Sequence, residues 1–166
     1  MSEQPQQATM PVFSIEKIYL KDLSLEAPGA PQIFSERESP KIDVNIHNAA
    51  RALSPGLYEV VLTATITAKH GDRTAFLVEV KQAGVFQIRN IPGEDMDPVL
   101  AIACPNILFP YVRETVSSVI SRAGFPPFLL NHLSFEMLYQ QHLQQRQQGE
   151  LQPQGAPPAD AGPASH

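Results

Sequence analysis

Residues 57–70 read LYEVVLTATITAKH, and their alternation decides the fold class. Tyr58, Val60, Leu62, Ala64, Ile66 and Ala68 occupy one phase, and Glu59, Thr63, Thr65, Thr67 and Lys69 the other. Successive side chains of a strand point to opposite faces, so a period of two over this length predicts a strand with one buried and one wet face. The β-branched content agrees with that assignment.

The same period extends outward in both directions. Ile42, Val44 and Ile46 alternate with Lys41, Asp43, Asn45 and His47, while Phe76, Val78 and Val80 alternate with Leu77, Glu79 and Lys81. His70-Gly71-Asp72 supplies a Gly-centred turn between strands, as a short hairpin requires. Segment 12–26 changes phase, with Phe13, Ile15 and Tyr19 in one and Ile18 and Leu20 in the other, which predicts a bulge or burial on both sides. Gly84 interrupts the strand over 74–89 and predicts a second bulge. Ile91-Pro92-Gly93 ends the sheet.

Beyond it the period becomes helical. Leu108, Val112, Val116, Val119, Ile120 and Ala123 form one stripe; Pro105 suits the first turn and Gly124 the stop. Ser134 predicts the N-cap of a second helix that carries Phe135, Leu138, Tyr139 and His142 on one side. Four strands followed by two helices make an α+β domain, a four-stranded antiparallel sheet with two helices packed on one side. The sequence predicts flexible tails at 1–11 and 144–166, the latter rich in Pro, Ala and Gln, around a domain over 12–143.

Composition narrows function. A formal charge of -5 lacks the basic footprint of a nucleic-acid binder. Cys104 is the only cysteine, so no disulfide forms within the chain, and a reducing cytoplasm is the expected setting. The N-terminal MSEQPQQATMP has neither the positive nor the apolar region of a secretory signal. The longest apolar runs, such as Val99 to Cys104, fall far short of the roughly 20 residues a membrane helix needs. The five histidines show no i,i+4 pair for a metal, and no phosphate loop is present. Cys104 sits in an apolar run and reads as a small hydrophobe. We therefore expect no enzyme, no metal, no cofactor and no membrane insertion. Asp22, Glu26 and Glu79 gather carboxylates on strands around the apolar Leu77, the composition of a docking patch with a polar rim.

Several motifs are more specific. Tyr19-Leu20-Lys21-Asp22, Leu23 to Pro28, Tyr58 to Leu62, Thr74-Ala75-Phe76-Leu77 with Glu79-Val80, and CPNILFPY at 104–111 followed by Arg113-Glu114 resemble the SecB protein-export chaperones in order and spacing over residues 10–145. The resemblance implies the same strands and helices, assembled as a homotetramer, a dimer of dimers. It implies an ATP-independent chaperone that holds unfolded precursor proteins in apolar grooves and delivers them to SecA, whose zinc-bearing C-terminal tail docks on the acidic sheet face. By position Asp22, Glu26, Leu77 and Glu79 match SecA-contacting residues, and Val78, Val80 and Gln82 match the strand face through which dimers associate. The apolar stripe Phe76, Val78 and Val80 suits such an interface if helices cover only the other face.

Candidate groove residues are Phe34, Phe128, Leu130, Phe135, Met137 and Leu138. The chain departs from the family in lacking a tryptophan after the first strand, where Phe34 and Ser35-Glu36-Arg37-Glu38 stand, and in a tail with few acids. Where the family can have cysteine, Val78 stands. Two rivals remain open: a small apolar-ligand protein with a pocket under the long helix, and a chaperone of the same fold dedicated to a toxin–antitoxin pair.

Overall fold

The computed structural model describes residues 9–150. Four antiparallel strands, β1 (Val12–Glu26), β2 (Lys41–Ser54), β3 (Leu57–His70) and β4 (Arg73–Arg89), form one sheet in the order β1-β4-β3-β2. A short 3-10 turn, Gln32–Ser35, joins β1 to β2. Three helices follow: α1 (Gly93–Pro98), α2 (Cys104–Arg122) after a π-type stretch over Val99–Ala103, and α3 (Phe135–Glu150).

Even-numbered residues of β3 and β4 face α2. Val60, Leu62, Ala64, Ile66 and Ala68 are fully buried there, as are Val78 and Val80. Cross-strand pairs Ala64–Val80 and Ile66–Val78 put the two strands in the same phase. Cys104, Leu108, Val112, Val116 and Ile120, spaced by four, complete the core from α2. Full burial of one such aliphatic side chain stabilises by about 1.5–3 kcal/mol. The stripe Phe76, Val78 and Val80 is therefore the floor of the core and not an open sheet face. Alternation separates the two faces of a strand, and only tertiary packing chooses which one the helix covers.

Gly71, at φ 61°, opens the two-residue β3–β4 turn, the position where glycine is favoured because the backbone is left-handed. The bulge expected at Gly84 is not there: β3 and β4 pair without interruption from Ala68–Phe76 to Leu57–Gln87. A Cβ at Gly84 would lie 2.6 Å from the Phe86 ring and 3.1 Å from Leu108. The glycine makes room for Phe86 to fold back beneath α2. The irregularities predicted for the first strand do occur, and there are two of them: Glu16 and Lys21 are extra residues of β1 against β4.

The helical backbone begins earlier than the apolar period shows, at Gly93 instead of Pro105. Glu94 and Asp95 favour the first turn electrostatically, whereas Pro98 and the all-apolar Val99–Ala103 blur any 3.6-residue pattern. Gly124, at φ 90°, ends α2 with its N–H donated to Ser121 and the Phe125 N–H donated to Ile120, a Schellman closure. Ser134 caps α3 as expected, its Oγ accepting the Met137 N–H at 3.2 Å. The helix runs on through the Gln-rich stretch after 143 to Glu150, since glutamine and arginine are good helix formers and no proline intervenes. Residues 1–8 and 151–166, where most of the two expected tails fall, lie outside the described residues.

Gly84→Ala is expected to destabilise by about 1–3 kcal/mol through overpacking against Phe86 and Leu108. Gly93→Ala, where an added Cβ meets nothing within 4 Å, should be neutral or slightly stabilising. Paired thermal melts compare them, and equal melting temperatures would remove the steric account of Gly84.

Candidate functional site

The face of the sheet away from α2 carries the polar phase. Register pairs define its cross-sheet rows: Asp43, Thr67, Leu77 and Glu26 form one, and Asn45, Thr65, Glu79 and Ser24 the next. His47, Thr63, Lys81 and Asp22 make the third. Asp22, Glu26, Leu77 and Glu79, separated by up to 57 positions in sequence, are thus brought to one corner of a single face. Asp22 and Glu26 are exposed, and Leu77 and Glu79 partly so. Lys81 sits among them, 3.8 Å from Glu79. Asp43 closes the Leu77 row at the β2 edge of the same face; its phase was legible in the sequence but its row partner was not.

Farther along this face is a charge cluster that the sequence also did not reveal. Glu59 is only 5% exposed. Its Oε1 accepts Lys21 Nζ at 2.9 Å and Arg51 Nε at 2.8 Å, and its Oε2 accepts the Tyr19 hydroxyl. Donors from β1 and β2 thus converge on one β3 carboxylate across the top of β4. Arg51, Tyr19 and Lys21 together hold the Glu59 carboxyl down at about 2, against desolvation. The hydrogen bond to Glu59 pushes the Tyr19 phenol up in turn.

Four of the six groove candidates divide between two clefts. One, of about 540 Å³, is lined by Phe34, Phe76, Phe125 and Phe128 with Glu36, Arg37 and Glu38 at its mouth. Its rings pack closely: Phe34–Phe125 centroids are 5.1 Å apart and Phe76–Phe125 4.9 Å. The other, of about 510 Å³, lies between β2 and α3 and includes Phe135, Leu138, Tyr139, His47 and Asn48. Asn48 Nδ2 donates to the Leu100 carbonyl at 3.1 Å, while its buried Oδ1 has no protein partner. Leu130 is buried in the core, and Met137, 64% exposed, lines neither cleft.

Val78 and Val80 lie under α2 and Gln82 is 4% exposed beside them, so these three offer a second molecule almost no surface. The exposed apolar side chains on the α2 side of the sheet are instead at its edges: Phe13, Ile15, Leu20 and Leu23 on β1, and Val44 on β2. Burial pushes the Cys104 thiol up to about 12, which leaves it a core hydrophobe with negligible thiolate. Among the described residues no group of three His, Cys, Asp or Glu converges on a possible metal site, and no helix is long and apolar enough to cross a membrane.

Residues 6–146 match the family model described as preprotein translocase subunit SecB. The chain belongs to the SecB family. A protein-export protein SecB of Chromobacterium violaceum is 61% identical over 150 residues, covering 90% of this chain and 99% of that one. Its counterpart in Nitrosomonas europaea is 52% identical over 158 residues, covering 94% and 96%. Among solved structures, a Mycobacterium tuberculosis SecB-like chaperone in complex with a peptide from the HigA1 antitoxin superposes with a TM-score of 0.61 at 20% identity, over 74% of this chain and 91% of that one. That likeness shows the SecB fold.

The Glu59 cluster gives stability a defined pH dependence. Its folded carboxyl is depressed from 4.5 to about 2, so the stabilisation is fully present above the unfolded value and is lost as pH falls through that window. Glu59→Gln should cost about 1–3 kcal/mol at pH 7, toward the lower end because the donors reach solvent. It should also flatten the decline in stability between pH 4.5 and 2. Urea titrations of both proteins across that range measure it.

Proposed function

We propose that this SecB-family chain is a non-enzymatic, ATP-independent protein-export chaperone that holds unfolded precursors and passes them to SecA. The observation that carries this reading is the corner formed by Asp22, Glu26, Leu77 and Glu79, four residues matching the family's SecA contacts, on the sheet face that α2 leaves open. An apolar centre within carboxylates suits a cationic partner, with the charges governing encounter and orientation. Relatives that are 52–61% identical and named for protein export support the pathway.

The two clefts supply the client sites. Their apolar and aromatic lining residues, Phe34, Phe76, Phe125 and Phe128 in one and Phe135 and Leu138 in the other, would recognise side chains that folding otherwise buries. Several shallow sites on one assembly give avidity while each stays quick to open. We assign the chain to the cytoplasm, where precursors and SecA meet, and its assembly to a homotetramer. The exposed Phe13, Ile15, Leu20 and Leu23 along β1 support association there, because such an apolar edge rarely stays open to water. Val78, Val80 and Gln82 would act on assembly indirectly, by seating α2. The antitoxin-bound neighbour is too distant, at 20% identity, to favour a dedicated toxin–antitoxin role.

Charge reversal at Asp22, Glu26 and Glu79 should reduce affinity for the isolated SecA tail at least tenfold in calorimetric titration, with the melting temperature unchanged. Unaltered affinity would move the docking site elsewhere. The chain should also slow refolding of a slow-folding precursor without ATP, in competition with folding at association rates of roughly 10⁵–10⁷ M⁻¹s⁻¹. Phe34→Ser, at an exposed ring of the first cleft, should shorten that delay; no delay with several slow precursors would refute the holding role.

A further inference from the structure

One cation stands inside the docking corner. Lys81 is directly opposite Asp22 across the β1–β4 ladder, and Glu79 precedes it by two residues on the same face of β4. Opposite residues on neighbouring antiparallel strands have Cβ atoms about 4.5–5.5 Å apart, and residues two apart on one strand are separated by about 7 Å. The lysine therefore has a carboxylate on each of two sides, and its Nζ rests 3.8 Å from Glu79 Oε1. Toward β2 its row continues with Thr63 and His47, which offer no negative charge.

Farther along the face no other carboxylate draws Lys81 away. Glu59 is opposite Val85, four residues beyond Lys81 on β4, about 13 Å at ordinary strand rise. It already accepts Tyr19, Lys21 and Arg51. The side chains of Lys81 and Glu79 are 41% and 38% exposed, so their pair is open to a competing cation instead of being sealed in the core. A lysine is a compact charge on a flexible stem, free to swing between Glu79 and Asp22 or out into water.

We propose that Lys81 is a built-in counter-ion of the docking corner: it occupies Glu79 and Asp22 in the free protein, offsets one of the three carboxylate charges there, and is displaced by the cationic groups of a partner. The inference rests on the reading of this corner as the SecA-docking site and names the residue that limits affinity there. Docking is then an exchange of one cation for another. A segment with a single positive charge gains little over the lysine already in place, whereas a segment with several outcompetes it. Lys81 thus selects for multiply charged partners by weakening the binding of all others.

Fluorescence anisotropy on the full-length protein tests this with two labelled probes, the isolated SecA tail and a short lysine-rich peptide with a central leucine. Lys81→Gln should tighten both by about three- to fivefold at low salt, the upper range for one exposed ion pair, with the melting temperature unchanged. Lys81→Met, which keeps the apolar stem, should match it. In about 1 M salt, where the screening length is ~3 Å, the gain should shrink below about twofold. It should shrink equally in an Asp22→Asn, Glu79→Gln background, where no carboxylate beside Lys81 is left to mask. Affinity that is unchanged or weaker in both Lys81 variants overturns the proposal, as does the absence of binding by either probe. A gain of undiminished size in the neutralised background also overturns it, since Lys81 would then repel the probe directly instead of occupying the carboxylates. If the lysine-rich peptide behaves as expected while the SecA tail responds neither to Lys81 nor to neutralising Asp22, Glu26 and Glu79, the counter-ion role is supported and the docking reading is the part that fails.

Discussion

The molecule is organised by the burial of one phase of β3 and β4 beneath α2. Five even-numbered β3 residues and the facing β4 residues meet a helix stripe of spacing four, and the rest of the architecture follows from that contact. It fixes the face that stays open, and with it the phase in which polar side chains can gather. It also demands Gly84, because Phe86 and Leu108 occupy the volume that any larger residue would need. Close-packed cores tolerate such insertion poorly.

The second organising element works on the opposite face and is electrostatic. A carboxylate this buried would be costly alone, but three donors from two other strands compensate for its desolvation. The sheet is thus held on one side by apolar contact with α2 and on the other by a charged brace that reaches from β1 to β2 across all four strands. Apolar residues in place of the Glu59 cluster would have put a greasy patch on the open face beside Asp22, Glu26 and Glu79.

The strands, their alternation, the Gly71 hairpin and the α3 cap at Ser134 were all legible from the sequence, because each is encoded within a few neighbouring residues. So was the existence of irregularity in β1, where Phe13, Ile15, Ile18 and Leu20 cannot share one phase. What could not be read is set by partners far along the chain. Both surplus residues, Glu16 and Lys21, lie in β1 and the second bulge expected at Gly84 is absent, because a glycine in a strand signals close approach of a neighbour as readily as a bulge. The fate of Val78 and Val80 was hidden for a related reason: a stripe of apolar residues looks the same whether a helix or a second subunit covers it. Family likeness singled out Asp22, Glu26, Leu77 and Glu79, and the register shows that these residues, distant in sequence, share one corner of a sheet face. Glu59 appeared only as one more polar residue in an alternating strand.

The buried thiol of Cys104 has an implication of its own. A chaperone of unfolded chains spends its working life beside cysteines that have not yet been sequestered, some of them ionised and ready for exchange. A thiol raised to about 12 and enclosed by the α2 core offers them neither a thiolate nor a route of approach. The protein can hold such a chain without becoming covalently tied to it through Cys104, so letting go needs no reductant.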